Sequence, residues 1–330
     1  MSKIGFNLAQ LGIVGDSDKA APGQVALANE SSFNNSFLSS PLTAYAVGWQ
    51  SDRRALETLL DFLAPPVQTA RRFEYKVANN TQAFAAEEKE RDVRALYGEF
   101  AQIKPAGENI SSKTLSKGLS ILLELDEISE NPGLEEVATA SLLRMLYRAE
   151  ILRAVALLSS VAINVSKTWG TGTTVDPDMD LLGVLTAMGD DGGLNPNRIC
   201  FGQTAWQNRV RALRANNTPG GFANASMTPQ NLADFLAVDD VAVCRERYAT
   251  GSGKSGLVTN NLVFLFNAQN GASKDDPSNI KRFWSPEDGG GGMFKVFAQD
   301  TSSHLRRITV SHRSNIVITS NLGIGKITVA

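Results

Sequence analysis

The sequence predicts an α+β fold. Three observations carry the prediction: strand-like alternation on either side of a polar stretch of about thirty residues, one uninterrupted helical run near the middle, and a compact mixture of short helices and strands after Trp169 that closes in strands alone. At 330 residues the chain is long enough for one large domain or two intertwined ones.

Residues 1–50 differ from the rest. They are rich in Ser, Asn, Ala and Gly, with few charges. Such a segment has too little apolar surface to offset its own ordering entropy. Yet Phe33, Phe37, Leu38, Leu42, Tyr45 and Trp49 are spaced through it. That pattern fits an extended arm docked on another surface; the alternative is a disordered tail.

A short helix follows at 52–63, with Asp52 as cap and Ala64-Pro65-Pro66 as its end. In Arg71 to Val77, Phe73, Tyr75 and Val77 alternate with charged residues, which predicts a strand with one apolar face. A second strand is expected at Thr114 to Glu124, after the polar stretch from Asn79 to Ser112. Together they make a long hairpin, too polar for a core element and so expected to project. Asn131-Pro132-Gly133 then opens the longest helix, with Asn131 as N-cap, Pro132 as first helical residue, and Glu135 and Glu136 in the first turn where the dipole favours acids.

That helix, to about Ile163, carries two apolar stripes at the 100° step. Leu134, Ala138, Met145, Ala149, Leu152 and Ala156 form one; Ala140, Leu143, Tyr147, Ile151, Ala154 and Leu158 form the other, nearly opposite. Two stripes predict packing on both sides in an assembled state; the alternative is that small alanines merely raise helix propensity.

Further on, Asp176-Pro177 caps a helix closed by Gly192-Gly193. Arg198 to Gly202 reads as a strand, Thr204 as the cap of a helix to about Asn216, and Thr228-Pro229 as the start of another to Val238. Strands are expected at 241–248, 261–267, 294–299, 305–312, 315–320 and 324–329, with a loop over 268–293. No internal repeat is visible.

Composition narrows the function. A net charge of -2 lends no support to a chain built mainly to grip nucleic acid, though a container for it is not excluded. Cys200 and Cys244 lie alone in apolar runs, without metal or redox spacing, and read as buried small hydrophobes of a reducing compartment. No stretch approaches the roughly 20 apolar residues of a membrane span, so no membrane partner is expected. The chain is expected to be made in, and to stay in, cytoplasm unless it leaves inside a particle.

Gly251-Ser252-Gly253-Lys254-Ser255 imitates a phosphate-binding loop. The position of the first glycine holds Tyr248, and a strand rather than a helix is expected after Ser255. A flexible hairpin turn is the preferred reading; a nucleotide-binding enzyme using 248–255 is the remote alternative. His304 and His312 lie on or beside the 305–312 strand without a cluster to make a metal site. No nucleophile has a credible base, so the sequence predicts no catalytic site, cofactor or metal.

The order of elements resembles the Hong Kong 97-type capsid fold of tailed-bacteriophage major capsid proteins. Tyr45-Ala46-Val47-Gly48-Trp49 through Phe73-Glu74-Tyr75 resembles the end of that family's N-terminal arm entering its extended E-loop. Ser116-Lys117-Gly118-Leu119-Ser120 through Leu125-Asp126-Glu127 resembles the strand leaving the loop. Thr168-Trp169, Asp176-Pro177, Asn195-Pro196-Asn197-Arg198 and Thr204-Ala205-Trp206 are similar to the exit from its spine helix and to the next helix. Leu232 to Leu236 and Asp239 to Val243 resemble its axial (A) domain, and Arg306-Arg307-Ile308 to Val329 its returning peripheral (P) domain strands.

The resemblance covers roughly residues 40–330. It implies an arm with a short helix at 1–66, an E-loop at 67–128, a spine helix and P-domain at 129–175, a mainly A-domain segment at 176–303 and returning P-domain strands at 304–330. It implies hexamers and pentamers tiling an icosahedral shell around double-stranded DNA, in a virion assembled in host cytoplasm. A portal and a separate scaffold protein are the implied partners, since only about 50 residues precede the hairpin; a processed chain is the other expectation. Inter-subunit contacts are expected at Phe33, Phe37, Trp49, Phe84, Arg91, Arg94, Tyr97 and Phe100. Some family members crosslink a loop lysine to an asparagine; Lys76, Lys89 and Lys104 lie in or near the loop, but none matches that reaction. The alternative on the same fold is an encapsulin-like compartment around protein cargo.

Overall fold

The computed structural model describes residues 38–48, 53–77, 96, 98, 108–172, 175–216, 221–251, 253–269, 271, 273–274, 276–286 and 292–330. In chain order its elements are α1 (Ser40–Gly48), α2 (Arg53–Leu63), β1 (Pro66–Gln68), β2 (Arg72–Val77), β3 (Glu108–Lys113), β4 (Leu115–Glu124), α3 (Leu125–Glu130), α4 (Leu134–Val161), β5 (Ile163–Lys167), α5 (Pro177–Gly192), β6 (Arg198–Gly202), α6 (Gln203–Ala215), α7 (Gly221–Ala225), α8 (Pro229–Leu236), β7 (Asp240–Cys244), β8 (Arg247–Thr250), β9 (Gly253–Gly256), β10 (Leu262–Phe266), β11 (Ile280–Ser285), β12 (Phe294–Asp300), β13 (Leu305–Ile318) and β14 (Gly325–Val329). The fold is a mixture of helix and sheet, as the sequence predicts.

The chain forms two compact units. The smaller comprises Met1–Trp49, Lys117–Leu143 and Glu287–His312; the larger comprises Gln50–Ser116, Arg144–Pro286 and Arg313–Ala330.

In the smaller unit β12 runs antiparallel to the first half of β13, from Phe294↔His312 to Asp300↔Arg306. Val296, Phe297, Ile308 and Val310 are buried there. The stretch expected to be wholly an extended arm instead contains α1. Leu42 and Ala46, four apart on one helical face, are buried, and Val296 N–H donates to Thr43 Oγ1 at 3.3 Å. Gly118 of β4 lies so close to Val310 and Ser311 that a Cβ would collide with the Val310 carbonyl.

The long helix starts later than the sequence suggests. Asn131 is the C-cap of α3, its N–H donating to the Glu127 carbonyl at 2.9 Å. Gly133 sits at φ 98°, which no helical residue adopts. Its carbonyl accepts from Val137 N–H at 3.0 Å, so Gly133 rather than Asn131 is the N-cap.

The larger unit has a five-stranded sheet in the order β5-β14-β10-β6-β7. β5 is parallel to β14 and β6 to β7; β10 is antiparallel to both its neighbours. Helices α5, α6 and α8 supply Leu181, Val184, Ala205, Ala212, Leu232 and Leu236 to one core with Ile199, Phe201, Val263 and Ile327 of the sheet. The caps of α5 are those expected: Asp176 Oδ1 accepts from Asp178 N at 3.1 Å and Met179 N at 3.2 Å, and Gly193 ends the helix at φ 63°. Thr228 caps α8 likewise. Thr204 does not cap α6; Gly202 does. A Cβ at Gly202 would collide with the carbonyls of Thr259 and Asn260, so only glycine fits where the strand turns into this helix.

A second group of strands in the larger unit has β1 parallel to β11, and β11 antiparallel to the second half of β13. β13 is one 14-residue strand where the sequence suggests two. β11 falls inside the expected 268–293 loop. The hairpin base is β2 with β3, in the register Arg72↔Lys113 to Val77↔Glu108, not β2 with the 114–124 strand; β4 pairs β13 instead. Phe73 and Tyr75 bury their shared face against Phe283 of β11, at centroid distances of 4.4 and 5.8 Å.

The two-sided reading of the long helix holds for one side in the single chain. Ala140, Leu143, Tyr147, Ile151, Ala154 and Leu158 are all buried. On the opposite stripe Ala138 is buried, Leu134, Ala149 and Leu152 are half-buried, Ala156 is exposed and Met145 is 53 % exposed. Ile151→Ala is therefore expected to cost about 2–5 kcal/mol in the unassembled chain, while Leu152→Ala costs less and Met145→Ala is near neutral; denaturant unfolding of the three variants measures the order.

Candidate assembly surfaces

Among the described residues, no group of three or more His, Cys, Asp and Glu is placed to hold a metal. Cys200 and Cys244 are free and buried. Burial pushes both thiols up from their ordinary range, Cys200 the further. His312 is buried, its ring centroid 4.9 Å from that of Phe294, which makes it a packing residue of β13. Among the described residues, no helix is long and apolar enough to cross a membrane.

The glycine-rich imitation resolves into a hairpin. β8 and β9 are antiparallel, with Tyr248↔Ser255 and Ala249↔Lys254 in register. Lys254 is exposed on a strand, and no helix follows to aim a dipole at a phosphate. Lys254→Ala should leave the unfolding midpoint unchanged, and no micromolar ATP binding that depends on this lysine should be seen by calorimetry.

The surface also carries exposed apolar side chains. In the smaller unit these are Leu119 and Leu122 of β4 and Val137 of α4, the last 65 % exposed. Leu122 and Leu123 are adjacent, so they point to opposite faces of β4; Leu123 is buried and Leu122 is not. In the larger unit α5 exposes Met179, Leu182, Gly183, Thr186 and Ala187, a neutral face opposite its buried one. Met145 and Phe235 are exposed as well.

Of these, the sequence points only to Met145, on one apolar stripe of the long helix; the others are not among the contacts expected from it. The signal for them is an excess of apolar residues: β4 has them on both faces, and α5 has them around too wide an arc for a surface helix. The contacts that were expected, Phe33, Phe37, Trp49, Phe84, Arg91, Arg94, Tyr97 and Phe100, lie outside the described residues. So do Lys89 and Lys104; Lys76 is exposed on β2.

Charge organises the same smaller unit. Arg306 donates from Nε to Asp300 at 2.6 Å and from Nη1 to Glu135 at 2.9 Å. The hydrogen bond from Arg306 holds the Asp300 carboxyl below its ordinary range. A depressed folded pKa stabilises above the unfolded value, and that contribution is lost as pH falls through the folded one. Below the ordinary carboxylate range the Arg306–Asp300 link should therefore weaken, by a small amount because Asp300 is exposed. Asp300→Asn should flatten this acid-side slope of stability against pH, measured by denaturant unfolding at stepped pH.

No family model matches the chain, and no curated protein matches its sequence. Solved structures do match. A phage-related protein from Bordetella bronchiseptica RB50 is similar with a TM-score of 0.62 at 18 % identity, over 88 % of this chain and 97 % of that one. A structure from Gordonia phage Cozz is similar with a TM-score of 0.50 at 11 % identity, over 82 % and 86 %. The mature capsid of bacteriophage PhiM1 gives a TM-score of 0.46 at 4 % identity, over 80 % and 85 %. The chain shares its fold with the Bordetella phage-related protein and with the Gordonia phage Cozz structure.

Proposed function

We propose that the chain is the major capsid protein of a tailed bacteriophage, a structural subunit without catalysis. The observation that carries this reading is the likeness to the Bordetella phage-related protein, which extends over 97 % of that protein's length. Helix, hairpin and strands follow in the order that the Hong Kong 97-type fold implies. On this reading 67–128 is the E-loop, 129–175 the spine helix with the start of the P-domain, 176–303 mainly the A-domain and 304–330 the returning P-domain strands.

Exposed apolar side chains in both units support an obligate assembly, since isolated soluble chains keep such residues scattered and few. Hexamers and pentamers of the chain build an icosahedral shell, with a separate scaffold protein and a portal as partners. The shell encloses double-stranded DNA without sequence-specific binding, which suits a near-neutral chain of net charge -2. The site of action is then the virion, after assembly in host cytoplasm.

Electron microscopy of the purified protein, alone and co-expressed with candidate scaffold proteins, is expected to show closed shells of uniform diameter. Native particles should release nuclease-sensitive double-stranded DNA once opened. Shells filled with protein cargo would move the reading to an encapsulin-like compartment, and a monomer that never assembles under either condition would end it.

A further inference from the structure

One helix of the larger unit leaves an apolar face exposed. Around α5, Leu181, Val184, Leu185 and Met188 are buried, while Met179, Leu182, Gly183, Thr186 and Ala187 are exposed. Those five recur at the helical period, so they form a single neutral face centred on Gly183. Met179 is 57 % exposed and Leu182 38 %. The glycines of α5 are there for different reasons. A Cβ at Gly189 would collide with the Asn195 side chain, and one at Gly192 with the main chain of Gly323. At Gly183 a Cβ would meet open space. Glycine inside a helix weakens it relative to alanine, and the chain's own packing does not require one here. What Gly183 permits is close approach by a surface from outside.

The two ends of this face carry opposite charge. Arg209 of α6 pairs with Asp178 in the first turn of α5, and Asn216, just past α6, donates to the Val175 carbonyl just before α5. The last turns of α6, with Arg211 and Arg214 exposed, therefore lie beside the N-terminal end of α5, which is also the positive end of its dipole. The acids at that end are already engaged: Asp180 accepts from Lys167, and Asp176 from the amides of Asp178 and Met179. The C-terminal end carries Asp190 and Asp191, both exposed, with no basic residue in the last turn. Acids there add to the negative end of the dipole. Asp178 and Asp190 are about 18 Å apart along the helix axis.

We propose that this face docks against the same face of a second copy of the chain, the two α5 helices antiparallel about a two-fold axis at Gly183. That direction sets the Asp190–Asp191 end of each copy against the Arg211–Arg214 end of the other; parallel helices would set like charges together. Met179 of each copy then lies over Ala187 of the other, large against small, and the facing glycines let the helices approach. The occupant is a second copy because the face is complementary to itself in charge and in side-chain size, as an isologous contact requires. One helix face is a weak contact alone and gains strength where many copies repeat it. The inference rests on the reading of the chain as a self-assembling subunit and assigns a surface to one of its two-fold contacts.

Gly183→Cys in the full-length protein tests this, since the open space at Gly183 accepts the side chain and Cys200 and Cys244 are buried. On the two-fold axis the new thiol faces its own symmetry mate, within disulfide reach at helix-packing distance. Mild oxidation is expected to give a reductant-sensitive covalent dimer on a denaturing gel. Asp190→Cys, also exposed, is the control. Antiparallel pairing sets the two substituted positions about 21 Å apart along the axes, so little dimer should form. In the Gly183→Cys background, Arg211→Glu with Arg214→Glu should lower the dimer yield, and adding Asp190→Arg with Asp191→Arg should restore it. Equal dimer from Gly183→Cys and Asp190→Cys, none from either, or a yield indifferent to charge reversal overturns the proposal. Electron microscopy of the same samples separates this contact from the capsid reading. Shells without the Gly183→Cys dimer sink the α5 contact alone; the dimer without shells sustains the contact and sinks the shell.

Discussion

Two buried arginines meet at one helix end, and the larger unit is organised around that meeting. Arg198 enters from β6 and donates to the carbonyls of Asp61 at 3.3 Å and Phe62 at 2.6 Å. Arg282 enters from β11 and donates to the Asp61 side chain at 2.7 Å. The last carbonyls of α2 lack helical partners and sit at the negative end of its dipole, so they suit cations. One strand from each of two sheets is thereby tied to the same turn of one helix. Phe62 adds to the junction, lying under Arg198 at 5.2 Å and edge-on to Phe266 at 5.8 Å. Burial pulls the Arg198 guanidinium down from its ordinary range while Asp240, Asp239 and Asp61 push it back.

The same rule, that charge enters the interior only with partners, recurs through this unit. Arg209 and Asp178 are both buried and form a two-point pair at 2.6 and 2.8 Å that links α6 to α5, with Trp206 stacked at 5.0 Å. Lys281 is buried and donates to the carbonyls of Lys274 and Asp276. Removing one member of such a pair strands the other without water, at a cost of about 3–5 kcal/mol.

That rule also explains where the sequence misleads. Ile280-Lys281-Arg282-Phe283-Trp284-Ser285 looks like loop because its two cations are adjacent and break any alternation; in the fold both are buried and paired, so the strand has no exposed polar face to recognise. The hairpin partner of β2 is hidden for the opposite reason. Glu108 to Lys113 is polar throughout much of its length, whereas the apolar residues of β4 give the stronger strand signal. Caps written in side chains are legible, as at Asp176 and Thr228, whereas a start set by main-chain conformation, as at Gly133 and Gly202, is not. The exposed faces of α5 and β4 are only half legible: an apolar residue reads the same whether it meets its own core or another surface.

The two cysteines have a practical consequence. Each is sealed in the sheet core with its thiol held protonated, and a thiol without thiolate character is a poor nucleophile. Alkylating reagents at neutral pH should pass the folded chain by. A single cysteine introduced at the exposed turn after Thr250 would then be the one reactive handle per subunit, so a dye or peptide attached there reports subunit number directly by its stoichiometry.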